Sequence, residues 1–211
     1  MTFRCMTQPH LYLASLSPRR QELLTQLGLR YELIAQAVPE QCRPDESPET
    51  YVRRLALEKA WAGLAALAGR VPRPVLGADT TVVVDDAVLG KPADEAEAKA
   101  MLMRLSGRSH RVLSAVAVVG RDDLGQDRQA VRVSQSRVTF RDLSTAECHD
   151  YWHSGEPVDK AGAYAIQGLG ALFVARLEGS YSGVMGLPLF ETGELLRLFG
   201  IDVLHLAGEG T

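Results

Sequence analysis

The chain has 211 residues, 46% hydrophobic and 23% charged, with a net charge of −3 at pH 7. That length buries a core as a single domain over 1–211 without disulfides or a structural metal, and with no lysine or arginine run it lacks the basic surface a nucleic-acid partner requires. The first ten residues hold no signal-peptide core and no later segment nears the roughly 18 apolar residues of a membrane span, while Cys5, Cys42 and Cys148 have no pairing or metal-ligand spacing, so a cytoplasmic chain off the membrane is expected.

Residues 10–14 predict a short strand ending in Ser15-Leu16-Ser17-Pro18-Arg19-Arg20, then a helix from Gln21 to Leu27 stopped by Gly28. Ser17 suits the N-cap and Pro18 the first helical position, which leaves the amides of the helix start to an anion with two arginines beside them. The alternative is a capped helix with solvated arginines. Tyr31 to Ala37 reads as a second strand, followed by a polar connection with Glu40, Arg43 and Asp45. Ser47-Pro48 then opens a long helix whose Val52, Leu55, Ala56, Ala60, Gly63, Leu64 and Leu67 share one stripe, with Gly69 just past its end. Lys59 lies beside that stripe, either solvated or reaching into a cleft.

The stretch from Val75 to Asp86, closed by Leu89-Gly90-Lys91-Pro92, is the most informative. An apolar, β-branched run is interrupted by Gly77, Asp79, Thr80 and Thr81, an interruption that packing does not require. Gly77 predicts a close approach to the backbone, and Asp79 either does chemistry or ends one of two short strands. Asp85-Asp86 reads as a hairpin turn, and Lys91 leaves it on a stiff corner near Asp79. Asp94 and Glu97 cap a helix running to Leu105.

Arg111 to Val119 and Val131 to Phe140 predict two long strands around a polar loop, Arg121 to Gln126. The alternation changes phase between Val133 and Val138, which predicts a bulge or bend. Ser144 and Glu147 cap a helix through Trp152. His149 and His153 have the i,i+4 spacing of a metal pair, but no third ligand accompanies them in the sequence and no role is assigned to them. Beyond Glu156-Pro157-Val158-Asp159-Lys160, a Gly-rich strand pair is expected through Tyr164, Ile166, Gln167 and Phe173 to Arg176, with the Gln167 amide in apolar company. An amphipathic helix from Leu187 to Phe199 closes the fold, and 1–9 and 206–211 read as disordered tails.

The polar residues at element ends form two sets, the cations Arg19, Lys59, Lys91 and Lys160 and the carboxylates Glu40, Asp79, Glu156 and Asp159. Phosphate together with a divalent metal accounts for both. Ala14-Ser15-x-Ser17-Pro18-Arg19-Arg20, Leu57-Glu58-Lys59-Ala60, Gly77-Ala78-Asp79-Thr80, Gly90-Lys91-Pro92, Asp159-Lys160-Ala161-Gly162-Ala163-Tyr164-x-Ile166-Gln167-Gly168 and Gly186-Leu187-Pro188 resemble the Maf family in order and spacing, over about residues 11 to 204. The resemblance implies an α/β fold similar to the inosine-triphosphate pyrophosphatases, a long curved mixed sheet with helices in two lobes around a cleft, and a homodimer. It implies hydrolysis of nucleoside triphosphates to monophosphate and pyrophosphate with Mg²⁺ or Mn²⁺.

In that family an aspartate at the position of Asp79 is taken as the general base, which the resemblance implies here. Glu40, Asp79, Glu156 and Asp159 are then the candidate metal ligands, and Ser15, Ser17, Arg19, Arg20, Lys59, Thr80, Lys91, Lys160 and Gln167 the candidate substrate-binding residues. Arg19, Thr80 and Gln167 resemble the subgroup acting on dTTP, UTP and modified pyrimidine forms. The alternatives are the same hydrolysis on a modified purine such as 7-methyl-GTP, or a nucleotide-binding regulator of septum formation. Leu16 departs from the small residue usual at its position.

Overall fold

A computed structural model describes residues 8–208 apart from Gln36 and Asp123. Its frame is a seven-stranded mixed sheet in the order β2-β1-β3-β5-β6-β7, with β4 on the free side of β3. The strands are β1 Leu11–Leu13, β2 Tyr31–Leu33, β3 Val75–Val84, β4 Ala87–Leu89, β5 Ser109–Arg121, β6 Asp127–Phe140 and β7 Val174–Glu178. β1 runs parallel to β2 and β3, and the other pairings are antiparallel.

Period-two alternation gives the sheet two apolar faces. On one, Tyr12, Val75, Val83, Leu113, Ala115, Ala117 and Val119 meet Val52, Ala56 and Ala60 of helix α2, Pro48–Ala65. On the other, Leu11, Leu13, Leu76, Val82, Val112, Val116 and Val118 form the larger core. That core includes residues from α1 (Pro18–Gln26), α3 (Glu95–Leu105), α4 (Thr145–His153), α5 (Tyr181–Met185) and α6 (Leu189–Leu198). Helix starts follow the capping logic: Ser47 accepts from the Thr50 N–H, Asp94 from the Glu97 N–H, and Ser144 and Glu147 complete a capping box.

Several expectations are corrected. β2 stops at Leu33 rather than Ala37, because its partner β1 is itself only three residues long. β5 and β6 pair without interruption from Ser109↔Thr139 to Arg121↔Asp127, so no bulge lies between Val133 and Val138. The phase change instead marks a change of covering layer: Val131 and Val133 pack on the α2 side, whereas Val138 and Phe140 belong to the opposite core. The irregularity in β6 sits at Thr139/Phe140, where it pairs with β7.

The expected strand pair before Arg176 is also replaced, by turns and two short 3₁₀ segments leading into β7. Asp159, Gly162 and Ala163 take positive φ there, which breaks an extended ladder, and side chains take up the freed N–H groups. A last helix, α7 (Val203–Gly208), stands where the sequence suggested a frayed tail. Gln8 and Pro9 are held through their carbonyls by Arg30 and Arg73. The remainder of the two expected tails, 1–7 and 209–211, lies outside the described residues.

Candidate active site

β1 pairs with β3 only as far as Leu13↔Leu76, and β4 rejoins it only at Leu89↔Val82. Between them, residues 77–81 of β3 have no strand partner on that edge, while their other edge is fully paired with β5. The interruption in the apolar run therefore coincides with a gap in the sheet. Residues from both sheet faces reach one space through it, although neighbouring side chains point to opposite sides. The space is a cleft of about 900 Å³, entered by α1, α2, the 90–91 corner, the 159–167 turns and α5.

Five cations, Arg19, Arg20, Lys59, Lys91 and Lys160, line it against three carboxylates, Glu40, Asp79 and Asp159. Gly77, just behind it on β3, sets how closely α2 can lie. A Cβ there would lie against the Ala56 carbonyl oxygen, 2.6 Å from the Ala60 nitrogen and 2.9 Å from the Ala60 Cβ. The close approach expected at Gly77 is thus made by α2, not by a ligand. It lets α2 lie on β3 and drives Lys59 into the cleft, where its Nζ donates to Asp79 Oδ1 at 2.7 Å and to Glu40 Oε1 at 2.6 Å.

Asp79 and Lys59 are 7% and 8% exposed, so both charges depend on each other rather than on water. Burial pushes the Asp79 carboxyl above its ordinary range, partly offset by Lys59 and Arg20. Burial acts in the same sense on Glu40, but hydrogen bonds and charge from Lys59 and Lys91 outweigh it and hold that carboxyl below the usual range. Two carboxylates sharing one lysine are thereby pushed in opposite directions, as expected where one takes a proton and the other stays ionised.

At the α1 end, Ser17 occupies the N-cap position without making a side-chain cap, so its hydroxyl and the first-turn amides stay available to an anion. The two arginines differ. Arg20 is committed to the fold, donating from Nε to the Gly186 carbonyl at 2.9 Å and from Nη1 to Ser15 Oγ at 3.1 Å. Arg19 spends only Nε, on the Met185 carbonyl at 3.1 Å. Thr80 lies 3.0 Å from Ser114 Oγ and 3.4 Å from the Gly186 carbonyl, on the sheet face opposite Asp79.

Lys91 reaches Glu40 Oε2 at 3.3 Å, while the Lys160 ammonium donates to the Val158 carbonyl at 3.1 Å and, through burial and the neighbouring Arg19, titrates below its ordinary value. Gln167 lines the same cleft.

Of the thirteen residues named from the sequence, Glu156 alone is not brought to the cleft lining. Its carboxylate accepts from the Tyr151 hydroxyl at 2.7 Å and from the Leu169 and Gly170 amides at 2.8 and 2.9 Å. These bonds hold its carboxyl low against the upward push of burial. Gly168 leaves it room, since a Cβ there would collide with that carboxylate. Glu156 pins the 165–170 turn that carries Gln167.

Ser114 is a residue the sequence reading missed. It is 1% exposed and donates to the Gly183 carbonyl, tying α5 to β5 beneath Thr80. The signal was present: a hydroxyl alone among Val112, Leu113, Ala115 and Val116 interrupts its strand as Asp79 interrupts β3. The histidine pair also gains a neighbour that sequence spacing concealed, for Glu95 of α3 stands against His149, outside the cleft lining.

Comparison with known proteins finds the following likenesses. The Maf-like protein family model matches residues 10–199. A dTTP/UTP pyrophosphatase of Alkalilimnicola ehrlichii is 54% identical over 198 residues, 92% of this chain and 95% of that protein. One of Saccharophagus degradans is 53% identical over 195 residues, covering 92% and 90%. Among solved structures, the Ham1 protein of Staphylococcus aureus aligns over 95% of this chain and 98% of its own, with 14% identity and a TM-score of 0.42. Among the described residues no helix is long and apolar enough to cross a membrane.

Proposed function

This chain belongs to the Maf family, and from that premise we propose that it hydrolyses nucleoside triphosphates, dTTP and UTP and modified pyrimidine forms before others, to monophosphate and pyrophosphate. The observation that carries the reading is the Asp79–Lys59–Glu40 triad in a cationic cleft, with Asp79 and Lys59 buried and Glu40 open to solvent. Relatives named dTTP/UTP pyrophosphatase, matched over nearly their whole length, favour the pyrimidine substrates.

In this reading Asp79 accepts the proton of a water that attacks the α-phosphorus. The bond from that phosphorus to the bridging oxygen breaks, and pyrophosphate leaves with the electron pair. A base whose pKa burial has raised toward the working pH removes that proton more effectively than an ordinary aspartate. Arg19, Lys91 and Lys160 balance the triphosphate and the charge that builds on the leaving group. Ser17 and the α1 amides cradle one phosphate, Ser15 and Arg20 hold that loop in shape, and Lys59 orients Asp79. Thr80 supports the wall formed by Gly186, and the Gln167 amide, donor and acceptor at once, suits a uracil or thymine edge.

The donor set suits Mg²⁺ or Mn²⁺, because Glu40, Asp79 and Asp159 offer hard oxygens to one cleft, the first two bridged by the Lys59 ammonium. Bound there, the ion would neutralise phosphate charge and acidify the attacking water. Glu156 is not needed for it. A cytoplasmic homodimer completes the reading, consistent with unpaired Cys42 and Cys148.

The test is pyrophosphate release with Mg²⁺ or Mn²⁺ across dTTP, UTP, CTP, GTP, ATP and 7-methyl-GTP, with Asp79→Asn alongside. Preference for dTTP and UTP, and a loss of about 10² to 10⁴-fold in the variant, supports the reading. Preferential turnover of 7-methyl-GTP overturns the specificity, and nucleotide binding without any turnover overturns the enzyme.

A further inference from the structure

We infer that Glu95 on α3 and His149 and His153 on α4 form a second metal site, selective for a divalent transition ion of the Zn²⁺ class and separate from the cleft. None of the three lines the cleft, and each lends one ligand atom to a group lying within 4.8 Å of one another.

Three features prepare these residues for a metal. The histidines are one helical turn apart, with ring centroids 4.2 Å apart. His153 Nδ1 lies 2.9 Å from the His149 carbonyl oxygen, which can only accept. The proton of the neutral ring must therefore be on Nδ1 and the lone pair on Nε2, the tautomer that a backbone carbonyl imposes on metal-ligating histidines. Glu95 arrives from the other helix, its Oε1 2.7 Å from His149 Nδ1, and adds the carboxylate that the sequence spacing lacked.

The scaffold beneath is firm. Ala98 and Leu102 of α3 and Cys148 and Tyr151 of α4 are buried in the same core, and both helices are capped by side chains at their starts. A tetrahedral zinc with bonds of about 2.0–2.2 Å holds its ligand atoms roughly 3.4 Å apart, close to the separations of under 4.8 Å found here. Lys99 competes, its Nζ 2.7 Å from Glu95 Oε1, but its flexible stem allows it to withdraw. Two imidazoles with one carboxylate favour zinc, nickel or copper over magnesium or calcium. Occupancy would tie α3 to α4 from outside.

The experiment titrates chelator-stripped protein with ZnCl₂ by calorimetry and follows the histidine side-chain nitrogens by NMR. Wild type is expected to take up one Zn²⁺ that shifts the His149 and His153 nitrogens and leaves those of His110 in place. His149→Gln and His153→Gln should each weaken that binding by at least about tenfold while retaining Mg²⁺-dependent triphosphate turnover. Asp79→Asn should bind zinc as wild type does. Undiminished binding by both histidine variants, loss of binding in Asp79→Asn, or no zinc uptake by wild type would overturn the proposal. Since Asp79 sits in the cleft and these histidines do not, the fate of this site and that of the proposed catalysis are read separately.

Discussion

Replacing Gly77 by alanine should damage both stability and catalysis, and the structure gives the size of the effect. The added methyl sits 2.6 Å from the Ala60 nitrogen and 2.9 Å from its Cβ, whereas real Cβ contacts essentially never fall below 3.0 Å. Both atoms belong to α2, so the helix must retreat by about 0.4 Å or more, and it carries Lys59. Overpacking of this kind costs about 1–3 kcal/mol, and the gain of about 0.4–1 kcal/mol from a stiffer unfolded chain offsets only part of it. A net loss of about 1–2 kcal/mol, at a urea slope of about 2 kcal/mol/M, lowers the unfolding midpoint by about 0.5–1 M.

The same retreat lengthens the 2.7 Å bond from Lys59 to Asp79, so kcat should fall more than tenfold in protein that is still folded. Gly193→Ala is the matched control. Gly193 lies inside α6 with nothing within 4 Å of a new Cβ, and the change should stabilise by about 0.5–1 kcal/mol without altering kcat. A Gly77→Ala protein with wild-type midpoint and wild-type kcat would refute the idea that this helix contact positions Lys59.

Lys59→Met should move the acid limb of kcat/KM to higher pH, because Lys59 is the main group opposing the upward push of burial on Asp79. Activity falls as pH drops through the base's pKa, so an unmoved limb would deny Asp79 that role. Glu156→Gln turns one of the two accepting oxygens into a donor, leaving at least one of the three donors that face it without an acceptor, and should cost about 1–2 kcal/mol in urea unfolding, with the Mg²⁺ concentration for half-maximal rate unchanged. A shifted Mg²⁺ dependence would restore it as a metal ligand.

His110, 3% exposed and hydrogen-bonded to Tyr164, is held by burial at a pKa of about 4. A lowered histidine pKa leaves the fold intact above the unfolded value of 6.5 and weakens it as pH falls from there toward 4, by up to about 3 kcal/mol. Urea midpoints at pH 7.5 and pH 4.5 should diverge less in His110→Gln than in wild type, and equal divergence would exclude His110 as the source.

The sequence by itself determined whatever depends on near neighbours. Ser47, Asp94, Ser144 and Glu147 fixed helix starts because a cap is satisfied within three residues. Asp85-Asp86 specified the hairpin because both tolerate the positive φ they adopt. Asp79 was legible as an intruder because burying a carboxylate in a β-branched run serves no packing end. Tertiary structure alone decided what those intruders meet. The gap along residues 77–81 follows from where β1 ends and β4 begins, and the partner Gly77 admits, α2, lies some twenty residues away.

Glu156 reads as one more acidic residue in an acidic set, until the 165–170 turn folds over it and both its oxygens accept from the Leu169 and Gly170 amides and the Tyr151 hydroxyl. The change of phase in β6 reads as a bulge until two helical layers are seen to cover different stretches of one regular strand. Glu95 and His149 are fifty-four residues apart, and only the packing of α3 on α4 brings a carboxylate to an imidazole. Local hydrogen bonding is written in adjacent letters, whereas the meeting of distant charges depends on which faces are buried together, and that is settled by the whole core at once.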